Sequence, residues 1–282
     1  MFTFAALSLG ALVTGALALS FIGRHRFGLQ VDEERARFLA DATPAKRPID
    51  VEAETADLPP PVQRYLRSVL GPKATAVTTV TLKHGGSFRL KPGGPLMPME
   101  AVEYFRADRP GYLWHARIRM GPMIWAEVRD FYQQGHGSML GRLNSTWTIV
   151  KSETPEVAQG ALIRWATEAA WFPQVFLDRK LFTWQAIDDR SARLVVQDSG
   201  LRATFTCHFG EDGRLTRMTT EDRPFEKEGQ YIRGVPFSGL FRDWRQMDGV
   251  WIPAHGEATW NLPEGDFNYV QVQVERIDYD RG

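Results

Sequence analysis

The chain has 282 residues, with 34 Lys and Arg against 34 Asp and Glu, so its formal net charge at pH 7 is +0. This balance gives no long-range attraction to phosphate backbones, and we expect no nucleic-acid partner. Because 43% of the residues are hydrophobic and 24% are charged, the composition is typical of a folded protein and excludes a disordered or collagen-like chain. The single cysteine excludes an internal disulfide.

The first 23 residues contain no charged side chain, and Arg24 and Arg26 follow them. A helix of that length extends about 34 Å, enough to cross a hydrocarbon core of about 30 Å. We therefore predict a transmembrane helix or signal anchor over residues 1–23, which makes the protein a single-pass membrane protein. A cleaved signal peptide is the alternative, because residues 16–18 have the small-x-small form of a cleavage site.

Residues 24–57 are predicted to form a stalk or linker between this segment and a folded domain. Leu29, Phe38 and Leu39 indicate a short, weakly amphipathic helix, and Pro44 ends the helical character.

Alternation of apolar and polar residues dominates from residue 58 to the C-terminus and predicts an antiparallel β domain over residues 58–282. In residues 111–120 one parity holds Tyr112, Trp114, Ala116, Ile118 and Met120. Helical spacing occurs at residues 60–70 and 155–171. The predicted fold class is therefore mainly β (α+β): a single curved antiparallel sheet or incomplete β-barrel with two covering helices.

Several segments of this domain resemble an uncharacterised bacterial family that is catalogued only as a domain of unknown function. They are LPPPVQRYL (58–66), GGSFRL (85–90), EAAWFP (168–173) and DGVWIPAHGEATW (248–260). The resemblance covers nearly all of the chain after residue 57 and supplies no known active site. The succession of strands also resembles the lipoprotein-carrier (LolA-like) architecture, an incomplete barrel that holds acyl chains, which implies a periplasmic domain.

One candidate site lies on the second predicted helix, where Arg164, Glu168 and Trp171 follow each other at four and three residues and so share a stripe. A carboxyl group at the edge of a cavity can act as a general acid or base, which makes Glu168 a candidate catalytic residue. The simpler interpretation, which we favour, is an ion pair on the helix surface with Trp171 packed on the sheet. One carboxylate without a second placed group specifies no reaction.

The six histidines show no dense metal-ligand spacing, and we predict no metal and no cofactor. A metal site would require His115, His208 and His255 to meet on one face. The nine tryptophans either fill a thick core or line an apolar pocket. Trp114 and Trp251 are the tryptophans that we add to Arg164, Glu168 and Trp171 as candidate ligand-binding residues.

Our leading functional hypothesis is a membrane-tethered domain that binds a lipid or other apolar ligand in an open-barrel cavity, between the concave sheet face and the helix 155–171. The alternatives are a hydrolase using Glu168 and a histidine in the same cavity, or a structural domain with no ligand. The enzyme requires Glu168 within hydrogen-bond reach of another titratable group that faces the pocket. The side of the membrane stays open, because the basic flank favours the cytoplasm and the carrier resemblance favours the periplasm.

Overall fold

The computed structural model describes residues 2–44, 47–72 and 74–280, and for residues 2–14 and 16–18 this description is confined to the backbone. The helices of this part of the chain are α1 (Phe2–Leu39), α2 (Val51–Thr55), α3 (Pro60–Val69) and α4 (Pro155–Glu168), and α4 continues into two 3-10 turns, Ala169–Trp171 and Pro173–Leu177. The strands are β1 (Thr79–Phe88), β2 (Met97–Arg106), β3 (Gly111–Gly121), β4 (Ile124–Gln133), β5 (His136–Leu143), β6 (Trp147–Ser152), β7 (Phe182–Asp188), β8 (Ser191–Asp198), β9 (Leu201–Phe209), β10 (Leu215–Thr220), β11 (Phe225–Lys227), β12 (Gln230–Ile232), β13 (Phe237–Met247), β14 (Val250–Leu262) and β15 (Gly265–Tyr279).

Thirteen of these strands form one antiparallel sheet in the order β6-β5-β4-β3-β2-β1-β15-β14-β13-β10-β9-β8-β7, and β11 pairs with β12 in a separate hairpin. The edge strands β6 and β7 have no sheet neighbour on their outer sides among the described residues, so the curved sheet stays open. The prediction of a mainly β protein with one curved, open antiparallel sheet is confirmed.

Strand parity determines which side chains face the core. In β3 the residues Tyr112, Trp114, Ala116 and Ile118 are buried, whereas His115 and Arg117 on the other parity are only partly buried. Met120 departs from the predicted pattern. It lies near the end of β3 and is 39% exposed, because the sheet offers no cover there.

The helices α3 and α4 cover the concave face of the sheet. In α3 the residues Val62, Tyr65, Leu66 and Val69 form a continuous buried stripe. The helix α4 begins at the N-cap Thr154, whose hydroxyl accepts a hydrogen bond from the Val157 N–H, and Pro155 follows at the first helical position. These are the two covering helices that the sequence predicts.

The helix α1 continues through the predicted boundary between residues 23 and 24 and packs on the outer, convex face of the sheet. Phe27, Val31 and Phe38 form a second buried cluster with Leu113 of β3 and Leu140 of β5. The predicted short, weakly amphipathic helix is therefore longer than predicted and is docked on the sheet. It ends at Leu39, before Pro44 as expected.

A buried arginine fixes the C-terminal end of α1 to the sheet. Arg106, at the end of β2, is 1% exposed, and its guanidinium lies 2.6 Å from Asp41 and 2.6 Å from Asp108. The same guanidinium donates a hydrogen bond to the Phe38 carbonyl. A buried cation is stable only when such partners are present.

The predicted membrane segment, residues 1–23, falls mostly on side chains outside the described residues. Within the described part of the chain, no helix combines the length and the hydropathy needed to cross a membrane. The division of the chain at residues 23 and 57 stays a prediction.

We predict that Phe38→Ala lowers the free energy of unfolding of the full chain by about 3–5 kcal/mol, because it removes a buried aromatic side chain from the α1 contact. Urea unfolding curves measure the change. The matched control is Leu29→Ala on the same helix, whose side chain is 50% exposed and whose loss is expected to cost about 0.5 kcal/mol or less. Equal effects of the two substitutions would contradict the docking of α1.

Candidate functional site

A cavity of about 480 Å³ lies between the concave sheet face and α4, which confirms the position predicted for it. Its volume is within the range of small-molecule binding pockets. Most of its wall is apolar and comes from the strands β1, β3 to β6 and β13 to β15. The apolar side chains are Phe88, Leu90, Trp114, Ile118, Ala126, Val128, Met139, Ile149, Val150, Trp171, Phe237, Phe241, Ala258, Tyr269, Val270 and Val272.

A second cavity of about 320 Å³ adjoins the first, with which it shares Phe88, Leu90, Met139, Val150 and Tyr269. Arg223 and Glu226 also belong to both walls, and Arg89 and Glu156 belong to the second. The apolar space is therefore continuous with a more polar compartment.

The charged part of the first cavity is organised by Arg164 of α4. Its Nη2 lies 2.8 Å from Glu103 Oε1, its Nη1 lies 2.8 Å from Asp130 Oδ2 and its Nε lies 2.9 Å from Glu168 Oε1. The side chains of Arg164 and Glu168 are only 16% and 15% exposed. The favoured interpretation of a surface ion pair is therefore wrong, because two further carboxyl groups from β2 and β4 enclose the guanidinium.

Two aromatic rings of β3 complete the enclosure of Arg164. The guanidinium carbon lies 4.8 Å from the ring centre of Tyr112 and 4.7 Å from that of Trp114, both within the range of cation–π attraction. The Tyr112 hydroxyl donates a hydrogen bond of 3.0 Å to Asp130 Oδ2. Carboxyl groups thus bind the nitrogen atoms of the cation, and two aromatic rings lie within cation–π distance of its carbon.

Glu103 and Glu168 are two buried carboxyl groups beside the same cation. Burial raises the pKa of the Glu103 carboxyl well above its ordinary value and also raises the pKa of Glu168, although Arg164 opposes both shifts. Because burial raises both pKa values, the pair favours keeping a proton. The Oε2 atom of each is buried and has no hydrogen-bond partner among the described residues.

The histidine in the cavity wall is His84 of β1, and both of its ring nitrogens are engaged. The Trp114 Nε1–H donates to His84 Nε2 at 3.0 Å, and His84 Nδ1 lies 3.1 Å from the Gly85 carbonyl oxygen. A carbonyl only accepts, so the proton is on Nδ1 and the ring is neutral. Burial lowers the pKa of His84 to about 4, which keeps it neutral near pH 7.

The structure brings together four of the five predicted ligand-binding residues. Arg164, Glu168, Trp171 and Trp114 all line the first cavity. Trp171 is buried, and its Nε1–H donates to the Pro253 carbonyl at 3.1 Å. Trp251 belongs to neither cavity wall. It lies on the less buried parity of β14, and the guanidinium carbon of Arg214 lies 4.5 Å from the centre of its ring.

The three histidines considered for a metal site lie apart. His115 is on the convex face, 3.0 Å from Glu127 Oε1. His255 lies 3.0 Å from Glu257 Oε1, and exposed His208 sits opposite Ser191 in the β8–β9 pairing. Across the described ranges, no group of three or more His, Cys, Asp or Glu side chains has metal-site geometry.

Residues 49–272 match the model of a family of unknown function, DUF6544. The chain belongs to this family. No curated protein sequence matches the chain.

Among solved structures, the chain is similar to a DUF1329 family protein from Desulfovibrio piger, with 12% identity, 73% of this chain and 88% of that one covered, and a TM-score of 0.41. It is also similar to a LolA superfamily protein from Nitrosomonas europaea, with 9% identity, 77% and 91% covered, and a TM-score of 0.37. At these TM-scores the likeness carries no inference about function.

The sequence-based site omitted Glu103, Asp130 and His84. Strand parity held a signal for all three. Glu103 shares its parity with the buried residues Met99, Ala101 and Phe105, and Asp130 shares its parity with Ala126, Val128 and Tyr132. An acidic residue in an apolar inward series indicates a buried partner. His84 shares its parity with the buried residues Val80 and Leu82 of β1, and the register shift in the pairing with β15 leaves that alternation intact.

We predict that Trp171→Ala lowers the free energy of unfolding by about 3–5 kcal/mol, since the side chain is buried against the sheet. Trp147→Ala is the matched control, because Trp147 is 52% exposed. Urea unfolding of the two variants distinguishes them. A loss in Trp147→Ala as large as that in Trp171→Ala would contradict this assignment of burial.

We predict that Glu103→Gln makes the protein more stable than the parent at high pH. Because the folded-state pKa of Glu103 is raised, its contribution to stability is fully present below its ordinary value of 4.5 and is lost as the pH rises through the raised value. The side-chain amide of glutamine provides an N–H donor for Glu168, and this amide does not titrate. Urea midpoints of both proteins from about pH 5 to pH 9 measure the difference.

The expected result is a stability difference that grows in favour of Glu103→Gln as the pH rises. Parallel curves would show that Glu103 does not retain its proton on folding. Arg164→Met provides the contrast, because it leaves the carboxyl groups without their cation and is expected to cost about 3–5 kcal/mol.

Proposed function

We propose that the protein binds a lipid or another elongated apolar molecule in the cavity of its open sheet. The observation that carries this proposal is the cavity of about 480 Å³, whose wall is mostly apolar, with charged side chains at the Arg164 cluster, at Glu257 and toward the second compartment. A dry, aromatic-lined space of this size favours an apolar occupant over a polar metabolite.

The second compartment supports an acidic group at one end of the ligand. Arg223 lies over the rings of Phe237, Trp260 and Tyr269, at 4.3, 5.5 and 5.8 Å from their centres. Arg89 has a buried Nε without a hydrogen-bond partner. Among the described residues, neither guanidinium has an acidic side chain at ion-pair distance. A carboxylate or phosphate on the ligand would supply this missing partner.

We also propose that residues 1–23 anchor the protein to a membrane. The support is the uncharged run before Arg24, which is long enough to span a bilayer. Such an anchor would keep the cavity close to a supply of lipid.

The cavity offers less support to the hydrolase alternative. Glu168 is within hydrogen-bond reach of Glu103 and Arg164, which meets one requirement of an acid or base. However, no described histidine bonds to Glu168, and both nitrogens of His84 are engaged. The polar cluster is therefore better explained as the fixed end of a binding cavity than as a reactive pair.

We predict that Ala258→Phe abolishes ligand binding, because it places a ring in the cavity. The measurement is native mass spectrometry of the full chain released from detergent, first for co-purified lipid and then with added hexadecanoic acid. Arg193→Phe adds the same bulk at an exposed position of β8 and is expected to bind like the parent. Binding that survives Ala258→Phe, or a parent that retains no apolar molecule, would defeat the proposal.

The role of Arg223 is tested with hexadecanoic acid and its methyl ester, which differ only in charge. The parent is expected to bind the acid about tenfold more tightly, the effect of one charge-assisted hydrogen bond. Arg223→Met is expected to bind both equally, whereas Arg202→Met, at an exposed position of β9, keeps the preference. A preference unchanged in Arg223→Met would remove Arg223 from the site.

A further inference from the structure

Three hairpin turns lie at one end of the sheet, because alternate turns of an antiparallel meander fall at the same end. They join β1 to β2, β3 to β4 and β5 to β6. We call residues 89–96, 119–124 and 144–151 the hairpin rim. It displays large apolar side chains that are between 39% and 63% exposed, namely Leu90, Leu96, Met120, Met123, Ile124, Trp147 and Ile149. Single exposed apolar residues are ordinary on protein surfaces, but a contiguous group marks an interaction site.

The charges of the rim have one sign. It contains Arg89, Lys91, Arg119 and Lys151 and no Asp or Glu. Only Arg119 has an ion pair among the described residues, an exposed one of 3.3 Å with Glu100. The next hairpin along this end, β14–β15, carries Glu264 and Asp266 and so limits the basic surface to the first six strands.

The helix α1 leaves the sheet at this rim. The Thr146 hydroxyl donates to the Leu19 carbonyl at 3.4 Å, and Gly23 packs so closely on the Ser145 backbone that a side chain would collide there. Phe21 and Ile22 beside this contact are exposed. From Leu19 the helix continues to Phe2, about 25 Å farther along its axis at 1.5 Å per residue.

The cavity opens at the same end. Leu90 and Ile149 belong to the hairpin rim, are more than half exposed, and also line the first cavity. The Arg164 cluster lies farther from the rim, because Glu103, Tyr112 and Asp130 are nearer the opposite ends of their strands. A molecule that enters between the tips of β1 and β6 therefore passes the apolar side chains Leu90 and Ile149 before it reaches the Arg164 cluster.

We propose that the hairpin rim docks on an anionic lipid bilayer, with the cavity mouth facing the lipid. Exposed aliphatic side chains with a tryptophan enter the interfacial region of a bilayer, and basic side chains without acidic neighbours are attracted to anionic headgroups. The apolar turn of α1 beside the rim extends the same surface. A protein partner would need a surface that is both apolar and acidic at the point where α1 leaves the sheet. An anionic bilayer provides both properties.

The test uses the full chain with a single environment-sensitive fluorophore on an introduced cysteine. Met123→Cys places the label on the rim, and His136→Cys places it at an exposed position at the opposite end of the sheet. The native Cys207 is fully buried, and its burial raises its thiol pKa, so it does not compete for the label. The proteins are reconstituted into vesicles of phosphatidylcholine with one-third phosphatidylglycerol, with and without brominated acyl chains as quenchers.

We expect brominated lipid to reduce the Met123 label's emission by more than half and to leave the His136 label unchanged. Replacing phosphatidylglycerol by phosphatidylcholine, or introducing Lys91→Glu with Lys151→Glu, is expected to weaken the quenching. The thermal unfolding midpoint of the charge variant controls for folding, since both lysines lack ion pairs among the described residues. Retention of lipid in the cavity is measured separately by mass spectrometry. A failure of the lipid-binding proposal is therefore distinguished from a failure of rim docking.

Three results would overturn the docking of the rim. If the protein floats with the vesicles and neither label is quenched, the result supports the membrane anchor but excludes the rim contact. If the protein does not float, the result excludes both. A Met123 label that is shielded from water without quenching by brominated lipid shows a second copy or another protein on the rim in place of the bilayer.

Discussion

The position of α4 depends on one buried cation. Arg164 is surrounded by carboxyl groups from β2, β4 and α4 and by two rings of β3. A guanidinium inside the fold is tolerated only where such partners satisfy it, so the helix has few alternative positions over the sheet. Because α4 and Trp171 form one side of the cavity, the ion cluster also determines where the cavity ends.

The cluster carries more acid than base, and the raised pKa values of Glu103 and Glu168 favour a proton on this pair. With that proton in place, Arg164 faces two carboxylates and one neutral carboxyl group, and the pair avoids a direct repulsion. Nearby, the hydrogen bond from Trp114 to His84 satisfies two more buried polar groups within the protein. Most of the polar groups in the inner part of the cavity are thus bound to each other, and the apolar wall is the larger surface that still lacks a partner.

Local patterns predicted the strands, the covering helices and the inward parity of Trp114, because these depend on neighbouring residues. The site depends on contacts between distant ones. Arg164 meets Asp130 and Glu103 across 34 and 61 residues, and no spacing rule links α4 to those strands. The docking of α1 was hidden for a related reason. Phe27, Val31 and Phe38 fall on one helix face, but the charged residues between them resemble a solvated stalk, and their partners Leu113 and Leu140 occupy the outward parity of their strands.

The docked helix changes what a membrane anchor would do. A flexible stalk would let the cavity take any orientation relative to whatever holds the N-terminus, since linkers transmit no direction. The helix α1 instead contacts the sheet at one end through Thr146 and at the other through Arg106 and Phe38. These contacts fix the direction of the helix axis relative to strands β1 to β6. The direction in which residues 2–18 leave the protein is therefore coupled to the direction in which the cavity opens. A helix that points outward at the hairpin rim orients the cavity mouth toward the same surface.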